Sequence, residues 1–436
     1  MNNLGYVFQV ARVGLTIAAF LLNTNRCVKA IEVCKECLIL LNSEVLKEKE
    51  KQFDDLVSIA IYKTMLIAYC RIYDYTNALK YGRQLLYIYQ ERRGKAGKDE
   101  GILLIDLAKI YVKQYQFGEA RKLYERAIKI MREIGDRRWE AAAYGNLGVM
   151  FSSLGEYEKG KEYLGKALAI AIENGDKTEE ASWYGNLGSV LYSLGEYGKA
   201  EEYIQKALAI GIEIGDKKGN ATDFANLGTI FLSRGEYDKA KEYLEKALAI
   251  RIEIGDRAGE AFSYGNLGTI FLSRGEYDKA KEYLEKALAI RIEIGDKKGE
   301  VQDLVNLGTV FQSRGEYDKA KEYLKKALAI TIETGDRAVE ASCYGNLGTV
   351  FSYLGEYSKA KEYLEKALRI RIEIGDKEGE AADCKKLGAI FKSLGEYDKA
   401  IEYLERARTI RREIVDREEE ATCYANSGTV FQHACL

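Results

Sequence analysis

The stretch TIFLSRGEYDKAKEYLEKALAIRIEIGD fills Thr229–Asp256 and recurs unchanged at Thr269–Asp296, 40 residues on. The same spacing runs through Tyr157, Tyr197, Tyr237, Tyr277, Tyr317, Tyr357 and Tyr397, each preceded by a Gly-Glu pair. A fixed period of about 20 to 50 residues marks a stack of supersecondary units, because one unit cannot bury its apolar face alone. Such a stack offers an extended surface rather than one catalytic pocket.

Within the quoted unit the residues read as two antiparallel helices. Asp256 suits an N-cap, since its carboxylate can accept from free backbone N–H groups, and Glu260 favours the first turn. Ala261, Tyr264, Leu267, Gly268 and Phe271 then follow helical spacing, and Gly275 suits the left-handed residue that ends the helix. The second helix is expected from Tyr277, burying Ala280, Leu284, Ala287, Leu288 and Ile294, with Gly295 as its stop. Lengths of about 14 and 18 residues give about 21 and 27 Å. The alternating run Ala289–Ile294 has strand character. It follows a helical run without a breaker, so helix is the reading.

Composition narrows the function. The 436-residue chain has 66 basic and 68 acidic side chains and a net charge of −2, which gives no global field for nucleic acid or an anionic membrane. Proline is absent, as suits uninterrupted helices. The eight cysteines share no common repeat position, so they form no disulfide framework and suggest a reducing, cytoplasmic setting. The apolar run Val13–Leu22 is too short to span a bilayer and reads as a repeat helix rather than a signal peptide. One histidine, His433, leaves no His-based triad or zinc site inside the array. No phosphate-binding or calcium loop is present, and Cys34-x-x-Cys37 reads as a helical core pair. The chain is therefore expected to be non-enzymatic, with no catalytic residue, metal or cofactor.

The arrangement Tyr264…Leu267-Gly268…Phe271…Gly275…Tyr277…Ala280…Leu284…Ala287 resembles the tetratricopeptide repeat. That family's unit is about 34 residues with a proline closing the second helix; here Ile292 stands at the proline site and the helix runs on. With Asn266-Leu267-Gly268, this longer form is similar to the Leu-Gly-Asn class, which includes the Pins/LGN adaptors and relatives of tetratricopeptide repeat protein 28. The resemblance implies an all-α fold, an α-solenoid with a right-handed superhelix of stacked antiparallel helix pairs. It is weakest before residue 91. Residues 1–90 read as two divergent repeats, 91–100 as a polar joint, and 101–436 as a continuous array ending in a half repeat at Ala421–Leu436. The unpaired last helix suggests that the natural protein continues, or that the gene model is truncated, and it leaves self-association open.

Asn146, Asn186, Asn226, Asn266, Asn306 and Asn346 recur before Leu-Gly, although asparagine is a poor helix-interior residue. The resemblance places this position on the concave groove, where a primary amide can donate to and accept from a peptide backbone. An inter-repeat ladder, or copying of one ancestral unit, is the other reading. Thr229, Thr269, Thr309, Gln302 and Gln312 complete the candidate partner-binding set. Pins-like adaptors carry an arginine four residues before this asparagine; here the site holds Ala142, Ser182, Thr222, Phe262, Gln302, Ser342 and Ala382, so a neutral groove is expected. The sequence reading is a scaffold binding a peptide segment of a partner protein. A structural spacer or self-associating array, or a regulatory region of a larger protein with an effector beyond Leu436, is the alternative.

Overall fold

The computed structural model describes residues 3–41, 51–91 and 97–414. The predicted half repeat at Ala421–Leu436, with His433, lies outside them. Among the described residues there are twenty α-helices and no strand. The chain divides into two compact units, Met1–Gly219 and Asn220–Leu436. The first holds α1 (Asn3–Asn23), α2 (Cys27–Leu41), α3 (Lys51–Arg71), α4 (Tyr75–Glu91) and α5 (Gly97–Lys113). It continues with α6 (Phe117–Ile134), α7 (Arg137–Ser153), α8 (Tyr157–Asn174), α9 (Lys177–Ser193) and α10 (Tyr197–Ile214). The boundary falls within α11 (Lys217–Ser233). The second unit holds α12 (Tyr237–Ile254), α13 (Arg257–Ser273), α14 (Tyr277–Ile294), α15 (Lys297–Ser313) and α16 (Tyr317–Thr334). It ends with α17 (Arg337–Tyr353), α18 (Tyr357–Ile374), α19 (Lys377–Ser393) and α20 (Tyr397–Glu413).

In each unit a helix packs mainly on its sequence neighbours, and first helices of successive repeats also touch, as α13 touches α15. The pair α13 and α14 shows how the sequence builds this. Asp256 caps α13 by accepting from the Gly259 N–H at 3.0 Å. Gly295, at φ 73°, takes the left-handed conformation that ends α14. Gly268 is required by proximity: a Cβ there would lie 2.6 Å from Leu284 Cγ, so only glycine lets the two helices close up. Phe271 and Tyr283 fill the space beside them, ring centroids 5.1 Å apart.

Two expectations need correction. The first helix has 17 residues rather than 14, because the capped turn Arg257–Glu260 is itself helical; its length is about 26 Å. The strand-like run Ala289–Ile294 is helical, but Ile294 is not core. It is 41% exposed, and Leu288 is only half-buried. The buried stripe Ala280, Leu284, Ala287 reaches Arg291 at the next helical interval, so a guanidinium takes the place expected for an apolar side chain.

The left-handed turn that glycine supplies from Gly155 onward is held in the first three repeats by Asn25, Tyr73 and Tyr115, at φ of 59° to 60°. Side chains bearing a Cβ are strained there.

Candidate functional site

The asparagine row lies on first helices: Asn146 on α7 and Asn186 on α9 in the first unit, and Asn226, Asn266, Asn306 and Asn346 on α11, α13, α15 and α17 in the second. All six are half-buried. Asn146 Nδ2 donates to the Ala142 carbonyl at 2.7 Å, and Asn186 Nδ2 to the Ser182 carbonyl at 2.9 Å. These two amides thus bond one turn back along their own helices, the local competition that makes asparagine a poor helix former. The threonines do the same. Thr229, Thr269 and Thr309 donate to the carbonyls of Ala225, Gly265 and Val305 at 3.0, 3.0 and 3.1 Å. Gln302 is exposed and its Nε2 donates to Asn306 Oδ1 at 3.2 Å, while Gln312 is half-buried.

A cavity of 460 Å³ in the second unit brings four of the predicted residues together: Asn266 and Thr269 from α13, Gln302 and Asn306 from α15. Phe262 also lines it. In the first unit, Asn186 shares a 320 Å³ cavity with Val149, Ser152 and Ser189. The other predicted residues line neither of these cavities.

Sequence reasoning missed the charged residues of the larger cavity, Arg291 and Asp303. Asp303 is wholly buried, and its Oδ2 lies 3.1 Å from Arg291 Nε. That is ion-pair distance, yet the angle makes no hydrogen bond, and Arg291 Nε and both Asp303 oxygens have no hydrogen-bond partner. Burial pushes the Asp303 carboxyl up to about 7, against the opposing pull of Arg291. The signal was available in the sequence: an arginine twelve residues before an aspartate, at 291/303 and again at 371/383.

These positions form part of a trio whose members complement one another. At Gly265 a Cβ would sit 3.2 Å from both Arg291 Nη2 and Asp303 Oδ1, so the missing side chain makes room for the ion pair. Forty residues on, the positions hold Val305, Thr331 and Cys343, and Val305 packs in an apolar cluster with Cys343. Forty further, Gly345 again adjoins an ion pair, Arg371 Nε donating to Asp383 Oδ2 at 2.7 Å. There Lys386 stands at the asparagine position beside Asp383, and burial holds its ammonium below the usual lysine range. Arg251, in the repeat before, meets no aspartate at position 263. It donates instead to the Gly259 carbonyl at 2.8 Å and Ser263 Oγ at 2.9 Å, with the Phe262 ring 5.5 Å from its guanidinium.

Cys34 and Cys37 are both buried on α2, and burial raises the Cys34 thiol to about 12, as expected of a core pair. Among the described residues no group of three His, Cys, Asp or Glu side chains could hold a metal ion, and no helix is long and apolar enough to cross a membrane.

The family model described as tetratricopeptide repeat matches residues 58–133, 139–213, 220–293 and 304–373, and a second model of that description matches 384–417. No curated protein sequence matches the chain significantly. Among solved structures, a signal transduction ATPase with numerous domains and a tetratricopeptide repeat sensor, from Pyrococcus horikoshii, matches at 18% identity with a TM-score of 0.62, over 90% of this chain and 57% of that one. The apo form of the quorum sensor NprR from B. thuringiensis matches at 17% identity and TM-score 0.57, over 77% and 96% of the two chains. Aspartyl phosphate phosphatase F from Bacillus subtilis matches at 16% identity and TM-score 0.53, over 84% and 94%. At these identities the likeness is one of fold.

Proposed function

Because the chain belongs to the tetratricopeptide repeat family, we propose that it is a non-catalytic adaptor that binds a peptide segment of a partner protein along the face of the second unit that carries Asn226, Asn266, Asn306 and Asn346. The observation that carries this reading is the 460 Å³ cavity, which joins Asn266 and Thr269 of one repeat to Gln302 and Asn306 of the next. A primary amide can donate to and accept from any peptide bond, so a row of them grips backbone without demanding a sequence. The Leu-Gly-Asn likeness to Pins-type adaptors is part of the same proposal. It stops short of their acidic ligands, since Phe262 and Gln302 stand where those proteins carry arginine. Photo-crosslinkers placed at Thr269 and at Glu282, which is exposed on α14, test it in a cell extract. Partner peptides captured from position 269 and not from 282 are expected; capture mainly from 282 would move the binding face elsewhere.

A self-associating or spacer array has one observation in its favour. Ile252, Ile292, Ile332 and Ile372 are 47% to 56% exposed at equal spacing on second helices of the second unit. Sedimentation velocity of the full chain decides between them: a concentration-independent monomer would dismiss the self-association reading.

A further inference from the structure

The face of the array repeats, and repetition poses a difficulty for any partner. Backbone grips that recur every 40 residues cannot by themselves fix which repeat a bound segment occupies. One place on that face differs from the rest. In the cavity between α13 and α15, four buried polar atoms are left without a hydrogen bond: Asn266 Nδ2, Arg291 Nε, Asp303 Oδ1 and Asp303 Oδ2. All three residues line the cavity, and Asp303 is wholly buried at its wall. In native proteins buried polar groups are nearly always satisfied. Arg291 Nε and Asp303 Oδ2 face each other at 3.1 Å, so Asn266 Nδ2 and Asp303 Oδ1 are the two atoms that call for an occupant.

The donors and acceptors define that occupant. Of the two atoms outside the ion pair one donates, Asn266 Nδ2, and one accepts, Asp303 Oδ1. The charged residues of the lining balance, Arg291 and Lys298 against Asp296 and Asp303. A free carboxylate would face Asp303, an ammonium would face Arg291, and an alkyl group would satisfy neither. A primary carboxamide has one oxygen that accepts twice and one nitrogen that donates twice.

We propose that this cavity is a register-setting pocket that takes the side-chain carboxamide of an asparagine or glutamine in the partner segment. The Phe262 ring and the half-buried Asn306 stand at the same cavity, where the flanking peptide would pass. The neighbouring trios do not offer the same set. Val305, Thr331 and Cys343 are neutral, with Thr331 Oγ1 donating to the Leu328 carbonyl at 2.8 Å. Asp383 Oδ2 is hydrogen-bonded to Arg371, leaving Oδ1 without a bond beside Lys386, and Arg251 Nη1 is held by a carbonyl and a hydroxyl, leaving its Nε without one, so neither place offers an amide donor together with a carboxylate acceptor. A partner gripped by the asparagines would therefore settle in one register, with its amide residue over Asp303.

This inference rests on the groove reading above, and the test separates the two. The probe is an immobilised combinatorial library of random 15-residue peptides, presented to the full chain and to the Gly265→Val, Arg291→Thr, Asp303→Cys variant. That variant copies the trio Val305, Thr331 and Cys343, which already packs one repeat away. Peptides retained by the unaltered chain should share an Asn or Gln at one position. Replacing that residue by Glu, Lys or Leu should weaken binding at least about tenfold. The variant should bind the same peptides about tenfold more weakly and show no preference at that position. Retained peptides without an amide preference, or a preference that survives in the variant, would overturn the pocket and leave the groove reading standing. If neither protein retains any peptide, the groove reading fails and the pocket falls with it. The replacement series on the unaltered chain needs no substitution in the protein, so it decides the matter even if the variant misfolds.

Discussion

Changing Asn226, Asn266 and Asn306 together to alanine should leave the fold as stable as before, or more so, while binding is lost. The stability change follows from what each side chain touches. Alanine is the better helix former by up to about 0.7 kcal/mol per residue, giving about 2 kcal/mol for three positions. At 266 the change also removes an orphaned buried amide nitrogen, worth about 1 to 3 kcal/mol. Against this stands the 3.2 Å bond from Gln302 to Asn306, worth about 1 kcal/mol, and some packing at half-buried positions. The threonine back-bonds at 229, 269 and 309 are untouched, because their acceptors are backbone carbonyls. The net is expected between zero and about +3 kcal/mol. Three lost bonds to a ligand backbone, at about 0.5 to 1.5 kcal/mol each, weaken binding by about ten- to a thousandfold. Urea unfolding followed by circular dichroism reads the first quantity. Midpoints should be compared rather than fitted energies, since arrays depart from two-state behaviour. A clearly lowered midpoint would mean that the asparagines form a structural ladder, and the binding argument would collapse.

Other outcomes follow from single contacts. Asp303 is held above its unfolded carboxyl range, so its contribution to stability is full below about pH 4 and is lost as the pH rises through about 7, an effect of about 4 kcal/mol. The Gly265→Val, Arg291→Thr, Asp303→Cys variant should therefore gain on the unaltered chain between about pH 4 and 8 in parallel denaturation series; equal pH profiles would contradict a buried titrating carboxyl. Gly268→Val should destabilise by about 1 to 3 kcal/mol or more, because its Cβ meets Leu284 Cγ at 2.6 Å, and an unchanged urea midpoint would show that α13 and α14 are not closely packed. Cys34, 1% exposed with its thiol raised to about 12, should resist a thiol reagent at about pH 8 until the chain is unfolded; rapid labelling of the native protein would disprove the buried-pair reading.

Local chemistry was legible because it repeats. Asp256 as cap, Gly295 as left-handed stop and Gly268 as the point of close approach depend on residues a few positions away, and the 40-residue period states them again in each repeat. Helix length was underestimated only where the capped turn is helical but not apolar. The candidate face was legible in the same way, as polar residues at helical spacing on first helices. The cavity that joins Asn266 to Asn306 was not, and its charged wall left one trace, the arginine–aspartate spacing at 291/303 and 371/383. Thr229–Asp256 and Thr269–Asp296 are identical, so the sequence assigns Arg251 and Arg291 the same helix, the same neighbours and the same depth. Their partners differ. Arg251 meets a serine hydroxyl and a carbonyl, while Arg291 meets a buried aspartate beneath an open cavity. The period sets where each side chain points, but a buried guanidinium takes its chemistry from whatever the next helix brings against it, and that pairing exists only once the repeats have stacked.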